Sequence, residues 1–193
     1  MRLHGSLRLG ALGRGIALLV LLLAAGCSAM SVVSEGGDSN LMLQGYDPVT
    51  YFTIGRPVRG SMAIKTEHLG ATYRFATEAN RRMFITSPDR YVPQFGGFCA
   101  NGMAYSVPVA ADAEVFKIID GKLHLFGGIR SKLYFEMNQE RNLRLANHYW
   151  ETEVKDSNWR FHYLKRLIFR VPHYKTNAEL AEEYERRFGK KPG

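Results

Sequence analysis

The sequence has little cysteine and few metal-binding patterns. Only two cysteines, Cys27 and Cys99, occur in 193 residues, which excludes a small domain built on a dense disulfide framework. There is no Cys-x-x-Cys pair and no His/Cys cluster with the spacing of a structural zinc site. With 46% apolar and 23% charged residues, the composition is that of a globular domain, so its stability must come from packing.

The common catalytic motifs are also missing. The sequence contains no Gly-x-Ser-x-Gly nucleophile motif, no phosphate-cradling glycine loop and no dinucleotide fingerprint. The histidines after residue 27 lack metal-ligand spacing, and we interpret each as a surface or hydrogen-bonded histidine; they are His68, His124, His148, His162 and His173. The sequence therefore favours a protein that is not an enzyme and has no cofactor, with a bound metal ion as the open alternative.

The net charge of +8 is concentrated near the C-terminus. Residues 28–154 contain thirteen Lys and Arg against thirteen Asp and Glu, whereas residues 155–193 contain ten basic and five acidic residues. We interpret such a surplus of basic residues first as a solvated face and, as the second choice, as a surface that binds anionic lipid headgroups. Nucleic acid is not an expected partner, because its binding needs a dense basic stripe interleaved with aromatic residues.

The first 27 residues have the pattern of an export signal. Basic residues precede an apolar run over 16–25, which is too short to span a bilayer, and small residues lead to Cys27. The segment Leu23-Ala24-Ala25-Gly26-Cys27 resembles a bacterial lipobox. This resemblance implies lipidation of Cys27 as the first residue of the mature chain and, with Ser28 following, a periplasm-facing place on the outer membrane of the cell envelope. The alternative is ordinary signal cleavage with an unmodified Cys27.

Local patterns predict an α+β fold with a small antiparallel sheet and hairpins, packed helices and a C-terminal helical extension over 160–193. Residues 28–42 show no apolar period and predict a flexible tether. Strands are expected at 49–53, 60–65 and 72–75, and the Asp120-Gly121 dipeptide predicts a tight hairpin between 115–119 and 122–126.

Helices are predicted from capping residues and apolar spacing. Thr77 is expected to cap a helix over 78–86 with Met83 and Phe84 turned inward, and Ser131 to cap a long helix reaching 149. Thr176-Asn177-Ala178-Glu179 has the spacing of a capping box. The helix that follows carries an apolar stripe every four residues, formed by Leu180, Tyr184 and Phe188. We expect it to dock on its own domain, with lipid or partner contact as the alternative.

A set of short blocks resembles the YHS domain family over about residues 43–159. The blocks are Asp47-Pro48-Val49, Gly70-Ala71-Thr72-Tyr73-Arg74-Phe75, Asn80-Arg81-Arg82-Met83-Phe84 and Ser87-Pro88-Asp89-Arg90-Tyr91. The opening Gly45-Tyr46-Asp47-Pro48-Val49 and the block Gly96-Gly97-Phe98-Cys99-Ala100 further resemble the longer, exported bacterial members of the family.

The resemblance implies a metal-associated fold without its metal ligands. Short YHS domains carry three cysteines in these blocks, and this chain has Thr50, Ala76 and Asn80 at the matching places. Soft metals require thiolates, which these side chains do not replace. We therefore expect no metal at the usual family site.

The remaining chemistry is concentrated around Cys99. Two glycines precede this thiol and allow close approach of a ligand to the backbone, so the candidate ligand or thiol site consists of Gly96, Gly97, Phe98, Cys99, Met103 and Tyr105. Three hypotheses follow. The first is a membrane-anchored periplasmic protein that binds a small ligand or a metal, and the second is a structural or accessory lipoprotein that binds a partner at the envelope. The third is a thiol-dependent enzyme, or a redox or copper-type binding protein, that uses Cys99. A buried, inert Cys99 is compatible with the first two.

Overall fold

The computed structural model describes residues 29–193. The export signal and Cys27 lie outside the described residues. Two small sheets and a set of short helices pack around three apolar clusters, so the predicted α+β class is confirmed. None of the helices within 29–193 is long and apolar enough to cross a membrane.

The first sheet has four strands: β1 (Val33–Glu35), β2 (Asp38–Leu41), β3 (Ser61–His68) and β4 (Ala71–Phe75). Their spatial order is β1-β2-β4-β3. The pairs β1/β2 and β3/β4 are antiparallel, whereas β2 and β4 run parallel. The sheet is thus not wholly antiparallel as expected, because a chain segment of about 30 residues lies between β2 and β4 and returns the chain in the same direction.

The predicted flexible tether over 28–42 is wrong for residues 29–42. Ala29 is buried, and its amide donates to the Lys155 carbonyl oxygen over 3.0 Å. Strands β1 and β2 form a hairpin in this segment, and Leu41 is fully buried. These strands are only three and four residues long, too short for an alternating pattern to stand out. The folded body therefore begins well before residue 43.

The second sheet is the predicted hairpin. Strands β5 (Asp112–Ile119) and β6 (Lys122–Phe126) pair antiparallel across a two-residue turn. Asp120 and Gly121 have φ angles of 51° and 71°. Both central residues of a type I′ turn require this left-handed conformation, which aspartate and glycine tolerate.

The predicted strand at 49–53 is instead a short helix, α1 (Thr50–Thr53). The Asp47 carboxylate accepts the Val49 amide over 2.9 Å, and the Thr50 hydroxyl donates to the Asp47 carbonyl oxygen over 2.8 Å. These two bonds turn the chain after Asp47. The side-chain turn therefore overrides the strand preference of the residues that follow.

Helix α2 (Glu78–Thr86) has the predicted bounds, and the Thr77 hydroxyl accepts the Asn80 amide at its start. Phe84 is buried as expected, but Met83 is 40% exposed, so its predicted inward orientation is wrong. A helix places consecutive residues about 100° apart, and Phe84 alone faces the core. A short helix, α3 (Pro88–Tyr91), follows immediately.

The predicted single helix over 131–149 is two helices, α5 (Ile129–Glu136) and α6 (Gln139–Tyr149), which follow the short α4 (Ala100–Met103). Asn138 leaves the helical conformation. The side-chain amide of Asn142 donates to the Phe135 carbonyl oxygen over 2.9 Å. This side-chain bond satisfies a carbonyl at the end of α5 and stabilises the break. Ser131 lies inside α5 and does not cap it.

The C-terminal extension consists of α7 (Trp159–Ile168) and α8 (Asn177–Phe188). The capping box between Thr176 and Glu179 is present, and Gly189 ends α8 in the left-handed conformation. Leu180 and Tyr184 are buried in the third apolar cluster, whereas Phe188 is exposed. The predicted docking of α8 on its own domain is confirmed. Helix α7 begins at residue 159, one residue before the predicted boundary.

Candidate functional site

A cleft of about 570 Å³ separates the α4–α5 region from the C-terminal helices. This volume lies in the usual range for a small-molecule site. The main body contributes α4, the residues after it, the Gly127-Gly128 loop and the start of α5, while α7, α8 and the segment between them contribute the other side. The cleft therefore exists only because the C-terminal extension packs on the main body.

Cys99 lies on the main-body side of the cleft and is 2% exposed. Its amide donates to the Val109 carbonyl oxygen over 3.0 Å, which fixes the backbone. The sulfur lies 3.1 Å from the Ser131 hydroxyl oxygen, and the Gly102 amide donates to it over 3.5 Å. The thiol is thus held by a hydroxyl and an amide, and among residues 29–193 its hydrogen-bond partners include neither a histidine nor an arginine.

The side chains around the cleft are strongly biased toward positive charge. Four cationic residues line it: Arg130, Arg166, Arg170 and Lys175. Within residues 29–193, no aspartate or glutamate lines the cleft. This surplus of positive side chains favours ligands of the opposite charge.

Two of the four cations already have partners and two do not. Arg166 is paired with Glu153, and the Lys175 ammonium lies 2.5 Å from a Glu183 carboxylate oxygen. Arg130 and Arg170 form no ion pair with any residue in the described part of the chain. These two guanidinium groups are therefore free to bind an anion.

The polar groups at the cleft include an atom without a partner. Asn101 is 8% exposed, and its side-chain oxygen has no hydrogen-bond partner among residues 29–193. A buried, unpaired polar atom costs about 1–3 kcal/mol. Asn101 lines the cleft, so a bound ligand with a hydroxyl or N–H donor would satisfy this oxygen.

The start of α5 adds further donors. Gly128 precedes the helix with a φ angle of 144°, which favours glycine, and provides no side chain to cap the first turn. Gly128, Ile129, Arg130 and Ser131 all line the cleft. The amides of a first helical turn and the helix dipole favour negative charge at such a place.

Tyrosines form much of the rest of the lining: Tyr105, Tyr134 and Tyr174. The Arg170 guanidinium lies 4.3 Å from the ring centre of Tyr174, which orients this cation. Burial raises the pKa of Tyr105 above its ordinary value, so this phenol stays neutral and does not repel an anion. The cleft thus combines cationic groups with aromatic surface.

Only two of the six predicted site residues line this cleft, namely Cys99 and Tyr105. Phe98 and Met103 are fully buried in the second apolar cluster. Phe98 packs against Trp159 with 5.3 Å between ring centres. Since neighbouring residues of an extended segment point to opposite sides, Phe98 enters the core while Cys99 faces the cleft.

The two glycines of the predicted site contact the N-terminal segment of the protein itself. A Cβ atom at Gly96 would lie 2.3 Å from the Ala29 carbonyl oxygen, and the Gly96 carbonyl oxygen accepts the Ser31 amide. A Cβ at Gly97 would lie 2.9 Å from the Met42 sulfur. The close backbone approach expected from these glycines is present, but it accommodates residues 29–42.

Thr50, Ala76 and Asn80, the positions where the YHS resemblance would place thiols, meet around Asp47. Its carboxylate accepts the Ala76 amide over 2.8 Å and the Asn80 side-chain amide over 2.7 Å, and its carbonyl oxygen accepts the Thr50 hydroxyl. The Ala76 methyl cannot ligate a metal, and the Asn80 amide and the Thr50 hydroxyl are already hydrogen-bonded, so these side chains do not fit a soft metal. The described residues 29–193 contain no group of three His, Cys, Asp or Glu side chains placed to hold a metal.

A second polar cluster joins Ser106, His162 and Glu153. The Ser106 hydroxyl oxygen lies 2.8 Å from His162 Nε2 and 2.9 Å from a Glu153 carboxylate oxygen. Burial lowers the pKa of His162, while Arg166 and Ser106 outweigh burial and lower the pKa of Glu153. Ser106 is fully buried and does not line the cleft. The cluster therefore fastens α7 to the main body.

Sequence reasoning did not identify Asn101, Arg130 and Arg170 as site residues. Arg130 and Arg170 are far apart in sequence and lie on different elements, so no local spacing connects them. The Gly127-Gly128 pair before a helix was the one local signal, since it marks an uncapped helix start.

Comparison of the chain with family models, with curated proteins and with solved structures gives no match.

Proposed function

We propose that the protein is a lipid-anchored, periplasm-facing envelope protein that binds a small organic anion and does not catalyse a reaction. The observation that carries this proposal is the cleft, which residues 29–193 line with four cationic side chains and no acidic one. The envelope location is supported by the lipobox-like segment ending at Cys27. The YHS family resemblance is supported by the meeting of Thr50, Ala76 and Asn80 around Asp47.

The ligand class follows from the two kinds of surface in the cleft. Arg130 and Arg170 suit a carboxylate or phosphate, because guanidinium groups bind these anions with paired hydrogen bonds. The tyrosine rings suit an apolar or aromatic body attached to the acid group. Asn101 offers an acceptor for a ligand hydroxyl or N–H. An anion of small-molecule size with an apolar part fits all three features.

A thiol-based redox or copper-type function has less support. Cys99 faces the cleft, which is the observation in its favour, but the thiol is 2% exposed and bonded to Ser131 and Gly102. A reactive thiol needs a nearby cation or acceptor that lowers its pKa. Met103, the second soft ligand considered for a metal, is fully buried in a different cluster from Cys99.

A thermal-shift screen of small carboxylates and phosphate monoesters tests the proposal. We expect benzoate-like or phenyl phosphate-like anions to raise the melting temperature, since a ligand that binds only the folded state stabilises it. The double variant Arg130→Gln/Arg170→Gln should lose this shift. The matched control Arg56→Gln/Arg82→Gln changes the net charge equally at exposed arginines outside the cleft and should keep it.

Two further variants separate the alternatives. Cys99→Ser should keep the anion-induced shift, because its hydroxyl retains Ser131 and Gly102 as partners; loss of the shift with intact stability would favour the thiol-centred function. Cys27→Ala should release the protein from membranes or block processing of the precursor. Normal processing with unchanged membrane retention would contradict the lipid anchor without affecting the cleft.

A further inference from the structure

Helix α7 exposes apolar side chains on its outer face. Phe161, Leu164 and Ile168 follow the i, i+3, i+7 spacing of one helix face, and their exposed fractions are 72%, 53% and 74%. Phe169, directly after the helix, is 66% exposed. A helix on the surface of a globular protein normally turns polar residues outward. An apolar outer face of this kind marks an interaction surface.

The orientation of α7 is fixed by contacts on its opposite face. His162 is buried against Ser106, Arg166 is paired with Glu153, and Trp159 packs on Phe98. The helix therefore cannot rotate its apolar face inward without breaking these bonds. The exposure of Phe161, Leu164 and Ile168 is a fixed feature of the fold.

The charges around this apolar face indicate what kind of surface it binds. Residues 159–170 contain four basic residues and no acidic one. Arg160 and Lys165 are exposed and form no ion pair within residues 29–193. Basic residues flanking an apolar helix face are typical of helices that lie in the interface of an anionic bilayer.

The start of the described chain lies beside the same helix. The Ala29 amide is bonded to the Lys155 carbonyl oxygen, and Ala29 shares an apolar cluster with Trp159. Cys27, where we propose the lipid anchor, is two residues before Ala29 in the sequence. The part of the chain that the structure describes therefore begins, beside α7, close in sequence to the proposed anchor.

We propose that the outer face of α7 lies on the surface of a bilayer that contains anionic phospholipids. Phe161, Leu164 and Ile168 enter the boundary between headgroups and acyl chains, while Arg160 and Lys165 contact the headgroup phosphates. The helix lies in the plane of the surface, since its ten residues cannot span a bilayer. This contact would supplement the proposed lipid anchor, and it depends neither on lipidation nor on the cleft ligand.

Vesicle binding by the unlipidated chain tests the proposal. All three apolar clusters lie within residues 29–193, so residues 28–193 form the folded test protein. We expect it to sediment with phosphatidylcholine vesicles that contain phosphatidylglycerol, and more weakly with phosphatidylcholine alone or in high salt. Phe161→Ser/Leu164→Ser/Ile168→Ser should weaken binding at least about tenfold.

The control replaces three other exposed apolar residues, Ile54, Met62 and Ile85, by serine; this variant should bind vesicles as the unchanged protein does. A Phe161→Trp reporter should show a blue-shifted emission with anionic vesicles. Equal binding by both triple variants would overturn the proposal. So would absence of binding to anionic vesicles, or a dimer in solution that only the Phe161→Ser/Leu164→Ser/Ile168→Ser change dissociates.

Discussion

The side-chain amide of Asn80 donates to the Asp47 carboxylate over 2.7 Å, and this bond ties α2 to the turn before α1. The same carboxylate accepts the amides of Val49 and Ala76. Asp47 is fully buried. It therefore accepts three hydrogen bonds, one from its own turn and two from the segment 76–80 that leads from β4 into α2.

Asp47→Ala should be strongly destabilising. The change leaves two backbone amides and the Asn80 side chain without their acceptor, and each unsatisfied buried group costs about 1–3 kcal/mol. We expect the free energy of unfolding in urea to fall by about 3 kcal/mol or more. Asp156→Ala, at an exposed aspartate, is the control and should change it by less than about 0.5 kcal/mol. Equal effects of the two changes would refute this role of Asp47.

Cysteines placed at the three positions where the YHS resemblance would put them should create a metal site. Thr50 and Asn80 reach Asp47 through their side chains, and Ala76 does so through its backbone amide, so we expect cysteines at these positions to lie close together. We expect Thr50→Cys/Ala76→Cys/Asn80→Cys to retain about one zinc per chain after dialysis, whereas the unchanged protein retains none. Elemental analysis measures both. Tightly held zinc in the unchanged protein would overturn the argument from the missing thiols.

Stability should fall as the pH decreases through the histidine range. Burial lowers the pKa of both His124 and His162, so below about pH 6.5 the unfolded chain binds protons that the folded protein does not. Their stabilisation is complete above that pH and is lost as the pH falls toward the folded-state pKa values. Each ring contributes a slope of at most about 1.4 kcal/mol per pH unit.

Melting curves between about pH 7.5 and pH 5.5 measure this slope. His162→Gln and His124→Gln should each flatten it, because each removes one group that titrates differently in the two states. His148→Gln, at an exposed histidine, is the matched control for the substitution. A steeper slope in either test variant would contradict the assignment.

The C-terminal helix should contribute directly to stability. Leu180 is buried in the same apolar cluster as Tyr105 and Tyr134, whereas Phe188 is 53% exposed. Leu180→Ala should lower the free energy of unfolding by about 2–4 kcal/mol, and Phe188→Ala by clearly less. Removing residues 174–193 should also lower the melting temperature. An unchanged melting temperature would mean that the docking of α8 does not stabilise the fold.

The sequence predicts structure well wherever a few neighbouring residues decide it. Asp120-Gly121 fixes the hairpin turn, Thr77 caps α2, and the Thr176–Glu179 box starts α8. Each feature depends on hydrogen bonds or backbone angles within about four residues, so no knowledge of the rest of the chain is needed.

Prediction fails where distant parts of the chain decide the outcome. Position 96 has no room for a side chain, because the Ala29 backbone lies directly against it. Residues 29–42 are ordered because β2 pairs with β4 and Ala29 is hydrogen-bonded to Lys155. The cleft follows the same rule, since Arg130 and Arg170 become neighbours of one opening only after the extension docks. Cys99 was identified because thiols are rare in this sequence, and no pattern indicated its charged surroundings.

An amide NMR titration with phenyl phosphate tests the central claim, binding of an organic anion in the cleft, most directly. We predict saturable shifts at Gly102, Gly128, Ile129 and Arg130, with unaffected amides in the β3–β4 hairpin, and loss of these shifts in Arg130→Gln/Arg170→Gln. Shifts spread over the basic surface without saturation, or saturable shifts that the double variant retains, would contradict the account.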